Sequence, residues 1–145
     1  MEKTNHIDSL RGGLFVKKEF DQFQEKVSEL LIRHRSILDS LTKFQESTAR
    51  VNRAVAKTVT NCGCLSVCAS KQSCPPEIDL KDCRQYMDSH VKGELCEQCR
   101  EAIEEELGNH LFYLTATCHL LGLELTEVFG KEFRKISTLG FFHLS

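Results

Sequence analysis

The sequence has no Trp, two Pro and eight Gly among 145 residues. Long stretches free of Gly and Pro exclude a turn-rich β-sandwich or barrel and leave room for long helices. Charge of one sign is also missing. Nineteen Lys and Arg stand against 21 Asp and Glu, a net of −2, so a strongly basic nucleic-acid binder is not the expected class. No apolar run is long enough to span a bilayer. The longest, Leu111 to Leu123, is interrupted by Thr115, Thr117, His119 and Gly122 and reads as a core helix. The N-terminus, Met1 to His6, has no apolar signal-type region. These absences point to a cytoplasmic chain with neither a membrane nor a nucleic acid as partner.

What the sequence has in excess is Cys, with eight. The hydrophobic fraction of 41% supplies a core without staples. In a reducing cytoplasm, eight thiols point to metal or redox chemistry before disulfides.

The chain reads as one helical domain, 1–145, in four stretches. Residues 1–16, ending in Gly12-Gly13, read as a loose arm. Residues 17–61 hold neither Gly nor Pro. Their apolar positions step by three and four through Phe20, Phe23, Val27, Leu30, His34, Ile37, Leu41, Phe44, Thr48, Val51, Val55, Thr58 and Cys62. Two helices broken near His34-Arg35-Ser36 is the preferred reading, with Ser36 as N-cap and Asp39 three residues on. One continuous helix is the alternative, and it requires a partner chain along the seam. Residues 62–95 read as Cys-rich loops with a short helix. A third helix is expected from about Glu94 to Leu121, with a stripe at Ile103, Leu107, Leu111, Leu114, Cys118 and Leu121. The last runs from Glu127 to about Thr138 behind a Thr126 N-cap and carries Val128, Phe129, Phe133 and Ile136. The expected fold class is an all-α bundle of four main helices with a Cys-rich segment, forming a homodimer.

Two Cys pairs stand at helix ends. Cys62-Gly63-Cys64 closes the long helical region, and Cys96-Glu97-Gln98-Cys99 opens the third helix. A Cys-x-x-Cys on a first helical turn faces two sulfurs to one side, and a Cys-x-Cys across Gly can fold two more around the same point. Four sulfurs at about 2.3 Å from one ion make a structural zinc site. Zinc on Cys62, Cys64, Cys96 and Cys99 is the first reading. An iron–sulfur cluster is the second, and a redox Cys-x-x-Cys the third. Cys118 on the apolar stripe reads as a buried hydrophobe. Cys68, Cys74 and Cys83 read as passive, or as holding a second ion with His90.

The halves differ in charge. Residues 1–72 carry 12 Lys and Arg against 8 Asp and Glu, and residues 73–145 carry 7 against 13. The basic half has a stripe at Lys43, Arg50 and Lys57, with Arg53 beside it. The acidic half has Glu104-Glu105-Glu106. Solvated faces of complementary helices account for both.

The segment Glu104-Glu105-Glu106-Leu107-Gly108-Asn109-His110-Leu111-Phe112-Tyr113-Leu114 resembles the third helix of MazG-like all-α nucleoside triphosphate pyrophosphohydrolases. That family shows Glu-Glu-Leu-Gly-Asp before an apolar run. Leu121 to Phe129 and Lys131 to Lys135 are similar to its last helix, so the resemblance spans about residues 100–137. It implies Mg²⁺ held by carboxylates from this helix and the preceding one. Here Glu106 and Asn109 take the positions of the family's Glu and Asp. The preceding helix offers only Glu46 from Glu46-Ser47-Thr48-Ala49-Arg50. The resemblance therefore implies a catalytically degenerate member that binds a nucleotide or a protein partner, with Lys43, Arg50, Arg53 and Lys57 as phosphate contacts. The alternatives are an active Mg²⁺-dependent pyrophosphohydrolase using Glu46, Glu101, Glu105, Glu106 and Asn109, and a zinc-stabilised dimeric interaction or redox-sensing module. A DNA-binding regulator is the weakest, because no recognition-helix motif is visible.

Overall fold

A computed structural model describes residues 4–140, with side-chain surroundings from Lys17 onward. Four helices carry most of the chain: α1 Thr4–Leu30, α2 Ile37–Lys57, α3 Glu97–Leu120 and α4 Leu125–Leu139. The class is mostly helical, as expected, with one addition. A two-stranded antiparallel ribbon, β1 Leu65–Val67 and β2 Val91–Gly93, lies inside the Cys-rich segment. Between its strands sits a single 3₁₀ turn, Cys83–Tyr86.

The 17–61 region splits into two helices, and the break falls near His34 as the preferred reading has it. Ser36 takes the N-cap position of α2 with an extended backbone, but its hydroxyl makes no cap bond. Asp39 is drawn back to pair with His34 across the break. At the other end of α1 the expectation fails. Residues 4–16 continue the helix through Gly12-Gly13 instead of forming a loose arm, and residues 1–3 lie outside the described residues.

The helices meet along only part of the expected seam. α2 and α3 pack antiparallel, with Ser40 against Thr117, Ser47 against His110 and Arg50 against Glu106. The inward stripe of α2 and the turn after it is Ile37, Ser40, Phe44, Ser47, Val51, Ala54 and Thr58; it keeps Ile37, Phe44, Val51 and Thr58 of the expected seam and takes Ser40, Ser47 and Ala54 in place of Leu41, Thr48 and Val55. Small side chains let the helices approach, and each buried hydroxyl is satisfied. Thr58 Oγ1 donates to the Val55 carbonyl (2.7 Å) and Thr115 Oγ1 to that of Leu111 (2.8 Å). Ser47 Oγ donates to the Phe44 carbonyl (2.7 Å), which spends its one proton. His110 must then donate from Nδ1 to Ser47 Oγ (2.9 Å), fixing the tautomer. The Phe44 ring stacks on that imidazole, with centroids 4.6 Å apart.

The small apolar core is Val27, Leu31 and Ala116, with Phe23, Phe112 and Leu120 packed around it. Cys118 is buried beside Thr115 and Ala116, as its stripe position implied. Leu107, Leu111 and Leu121, from the same stripe, are exposed. α4 begins one residue before Thr126, with Glu124 as N-cap. Thr126 instead gives its hydroxyl proton to Asp21 on α1 (2.6 Å).

The cap of α4 comes from elsewhere in the chain. Gln24 on α1 accepts the Leu125 N–H (2.7 Å) and donates to the Leu123 carbonyl (2.8 Å). One buried amide thus satisfies a free donor and a free acceptor at a helix start. Gln24→Ala leaves both without partners. It should destabilise the protein by about 1–3 kcal/mol, read as a fall of roughly 3–10 °C in thermal melting. An unchanged melting temperature would show that α4 is capped without it.

Candidate metal centre

The four cysteines at the helix ends meet because each neighbouring element turns the chain toward the others. α2 runs into a wider π-helical turn, Thr58–Cys62, closed by Gly63 in the left-handed conformation (φ 77°). The Gly63 N–H returns to the Thr58 carbonyl (2.9 Å), so Cys62 and Cys64 project from either side of a tight reversal. The ribbon starts at once. Leu65 pairs with Gly93, Ser66 with Lys92 and Val67 with Val91, and the Cys68 N–H extends the ladder to the His90 carbonyl (2.9 Å). That register carries the returning strand back beside Cys64 and delivers Cys96 as the N-cap of α3, with Cys99 in its first turn.

Gly93 permits the close approach. A Cβ there would stand 2.5 Å from the Cys64 carbonyl oxygen, and its φ of 92° already disfavours a side chain.

All four Sγ atoms lie within 4.8 Å of one another. Cys62 and Cys96, from opposite sides of the cluster, are 3.7 Å apart. A tetrahedron with bonds of about 2.3 Å has edges of about 3.8 Å, so the Cys62–Cys96 edge matches a four-thiolate site and the remaining sulfurs are within about 1 Å of that spacing or closer. Cys62 is exposed and the other three are half-buried. The donor set is soft, which suits zinc or iron rather than Mg²⁺. The hydrogen bonds within the cluster make its thiols unequal. The Cys99 backbone N–H, and then its thiol, hydrogen-bond to Cys96 and draw the Cys96 pKa down to about 7. Donating to Cys96, together with burial, pushes Cys99 up to about 12. Of these two thiols Cys96 is thus the one more readily ionised.

The other Cys positions divide differently from the expectation. Cys74 and Cys83 form a disulfide across a nine-residue separation, with Cα atoms 5.4 Å apart. They are neither passive thiols nor ligands of a second ion with His90. Their loop is held also by Gln72, whose amide exchanges two 3.0 Å bonds with the Asp88 backbone. Cys68 is a free exposed thiol. His90 has a positive φ of 59°, and its Nε2 is buried without a hydrogen-bond partner.

The residues implied by the MazG resemblance lie along the α2–α3 contact. Arg50 grips Glu106 with two bonds of 2.8 Å, from Nε and from its terminal nitrogen. Lys43 holds Glu46 at 2.7 Å. Hydrogen bonds from these cations, foremost Arg50 for Glu106 and Lys43 for Glu46, keep both carboxyls below their ordinary range. Glu46, Asn109, Lys43 and Arg50 line a cleft of about 200 Å³ with Ser47 and Tyr113. Glu105 lies instead on a larger groove of about 490 Å³, with Arg53, Lys57, Cys62 and Cys99. Glu101 is exposed. Among the described residues, the four cysteines are the one group of three or more potential ligands close enough to share an ion, so the carboxylates do not gather as a Mg²⁺ site would require. The basic stripe is likewise divided: Lys43 and Arg50 are engaged by carboxylates, while Arg53 and Lys57 face the open groove.

Three features went unread in the sequence. Gly93 precedes Cys96 by three residues, and that spacing was its only signal. Arg50 and Glu106 were assigned to separate functions. The buried Ser47–His110 pair carried no motif. No described helix is long and apolar enough to cross a membrane. Comparison with protein-family models, with curated proteins and with solved structures finds no match to this chain.

Proposed function

We propose that this chain is a zinc-clamped, MazG-like helical protein that binds a nucleotide without hydrolysing it. The observation that carries the loss of catalysis is the bidentate Arg50–Glu106 pair. A guanidinium covers both oxygens of the carboxylate that the family resemblance would give to Mg²⁺. Lys43 does the same for one oxygen of Glu46. Two cations therefore stand where catalysis needs two divalent ions.

The phosphate side of the proposal rests on Arg53 and Lys57, which wall the groove beside the cluster. Cys62, Cys64, Cys96 and Cys99 would hold zinc, and the ion would supply folding energy rather than chemistry. The four free thiols of the cluster favour a reducing compartment such as the cytoplasm, against which the Cys74–Cys83 disulfide stands.

A second reading follows from the same groove. A zinc tetrathiolate carries two negative charges, and Arg53 and Lys57 are placed to balance them. The chain would then be a metal-stabilised interaction module with no nucleotide.

Elemental analysis and a nucleotide panel separate these readings. One zinc per chain in a colourless protein is expected, and a brown protein would replace zinc by an iron–sulfur cluster. Nucleoside triphosphates with Mg²⁺ should bind to the zinc-loaded protein, more weakly after Arg53→Glu, and release no pyrophosphate. Pyrophosphate release that Glu106→Gln abolishes would establish the active enzyme instead. No binding of any nucleotide would leave the interaction module.

A further inference from the structure

Gln24 at the start of α4, Asp21 on Thr126 and the Phe20 ring stacked on Phe129 (centroids 5.2 Å apart) set α1 antiparallel alongside α4. Between the two helices lies a groove of about 620 Å³ lined by six charged side chains. The antiparallel pairing sorts them by sign. Asp21, Glu124 and Glu127 stand at the end where α4 begins, and Lys17, Lys131 and Arg134 stand further along it. At a rise of 1.5 Å per residue, Asp21 and Lys17 are about 6 Å apart along the groove, and Glu127 and Arg134 about 10 Å.

The two ends do not neutralise each other. One pair forms between them, Lys131 with Glu127, and it is long at 3.8 Å. Lys17 and Arg134 meet no carboxylate among the described residues. The floor between the ends is Gly130. A Cβ there would stand 3.3 Å from Arg134 Nη1, so the guanidinium lies back over the glycine, where the missing side chain leaves it room. At the acidic end, the Thr126 hydroxyl donates to Asp21 (2.6 Å) and holds that carboxylate in place.

We propose that this groove binds a small zwitterion, an amino acid whose ammonium and carboxylate are separated by a short methylene chain. Arg134 takes the carboxylate with its planar fork of donors, assisted by Lys17. Asp21 and Glu127 take the ammonium, which displaces the loose Lys131 contact. An α-amino acid carries its charges too close together to reach both ends. The groove shares no residue with the one beside the cysteines, so the proposal is independent of the nucleotide reading.

Calorimetric titration of the zinc-loaded protein with 6-aminohexanoate, against hexanoate, hexylamine and glycine, tests it. 6-Aminohexanoate should bind at least 10-fold more tightly than any of the other three, because each charged end adds a charge-assisted hydrogen bond. Arg134→Gln and Glu127→Gln alter exposed side chains. Each should lower that affinity at least 10-fold with the helicity retained. Gly130→Ala is the decisive variant. Replacing a helical glycine raises the melting temperature, yet the methyl crowds the guanidinium and should weaken binding at least 3-fold. A position important only for folding would not move the two readouts in opposite directions. No binding of 6-aminohexanoate up to about 10 mM overturns the proposal. So does hexanoate binding as tightly, which would make the groove a plain anion site, and so does an affinity that Arg134→Gln leaves unchanged.

Discussion

Chelation of the zinc-loaded protein is expected to lower its melting temperature by about 15 °C or more, because binding energy at a structural metal is folding energy. The effect is large because the cluster closes the molecule where its apolar core does not reach. Val27, Leu31 and Ala116 hold the end of α3 to α1. Among the described residues, the opposite end of the α2–α3 pair is closed by the Thr58 turn, the short ribbon and the four cysteines. Far-ultraviolet dichroism with and without a chelator should show most of the helix signal retained and cooperativity lost. Cys96→Ser should reproduce that state without a chelator, since it removes the N-cap ligand of α3. An apoprotein melting with the holoprotein would make the cluster incidental to stability.

Gly93→Ala should be the most damaging single substitution outside the cysteines. The backbone there has φ 92°, which an L side chain adopts at a cost, and the new methyl meets the Cys64 carbonyl at 2.5 Å. The obstacle is main chain, so no side chain can swing aside. A destabilisation of about 3 kcal/mol is expected, together with weaker metal retention, because moving the Cys64 carbonyl moves Cys64. Gly63→Ala is the informative control. Its φ is also positive, yet nothing stands within 4 Å of the added methyl. It should lose only the conformational part, about 1 kcal/mol, and keep its metal. Equal effects at both glycines would mean that the close approach contributes nothing. Chelator competition with a coloured zinc indicator reads the metal, and urea melts read the stability.

The helices were legible in the sequence because absence of Gly and Pro over 17–61 and periodic apolar residues over 96–139 are direct marks of helix. The four-Cys set was legible for a different reason: close pairs at two helix ends predict convergence without any knowledge of the packing between them. The buried face was legible only in part. Ile37, Phe44, Val51 and Thr58 of the seam turn inward, but where the seam continues through Leu41, Thr48 and Val55 the structure turns in Ser40, Ser47 and Ala54, whose small side chains permit close approach. Sequence periodicity scores the two serines as polar and so centres the buried face too far toward Leu41 and Val55. The ribbon was missed because its strands have three residues each, too few for an alternation to register. The Cys74–Cys83 bridge was missed because a reducing compartment was assumed for all eight thiols. Gln24 shows a further limit: a cap supplied from a helix about a hundred residues away leaves no local mark near Thr126.

The pairing of Leu65 with Gly93 brings the two ends of residues 68–90 side by side, next to the clamp. The entropy of closing a loop grows only with the logarithm of its length, about 0.6 kcal/mol for each doubling. Those ends stay together whatever lies between them, so the segment is a natural splice point. A sequence inserted at its tip, near Pro75 or Lys81, would add little strain to the helices below. Evolution could lengthen or replace that excursion, and an experimenter could mount a fluorophore or an affinity handle there, while the thiolate spacing stayed as it is.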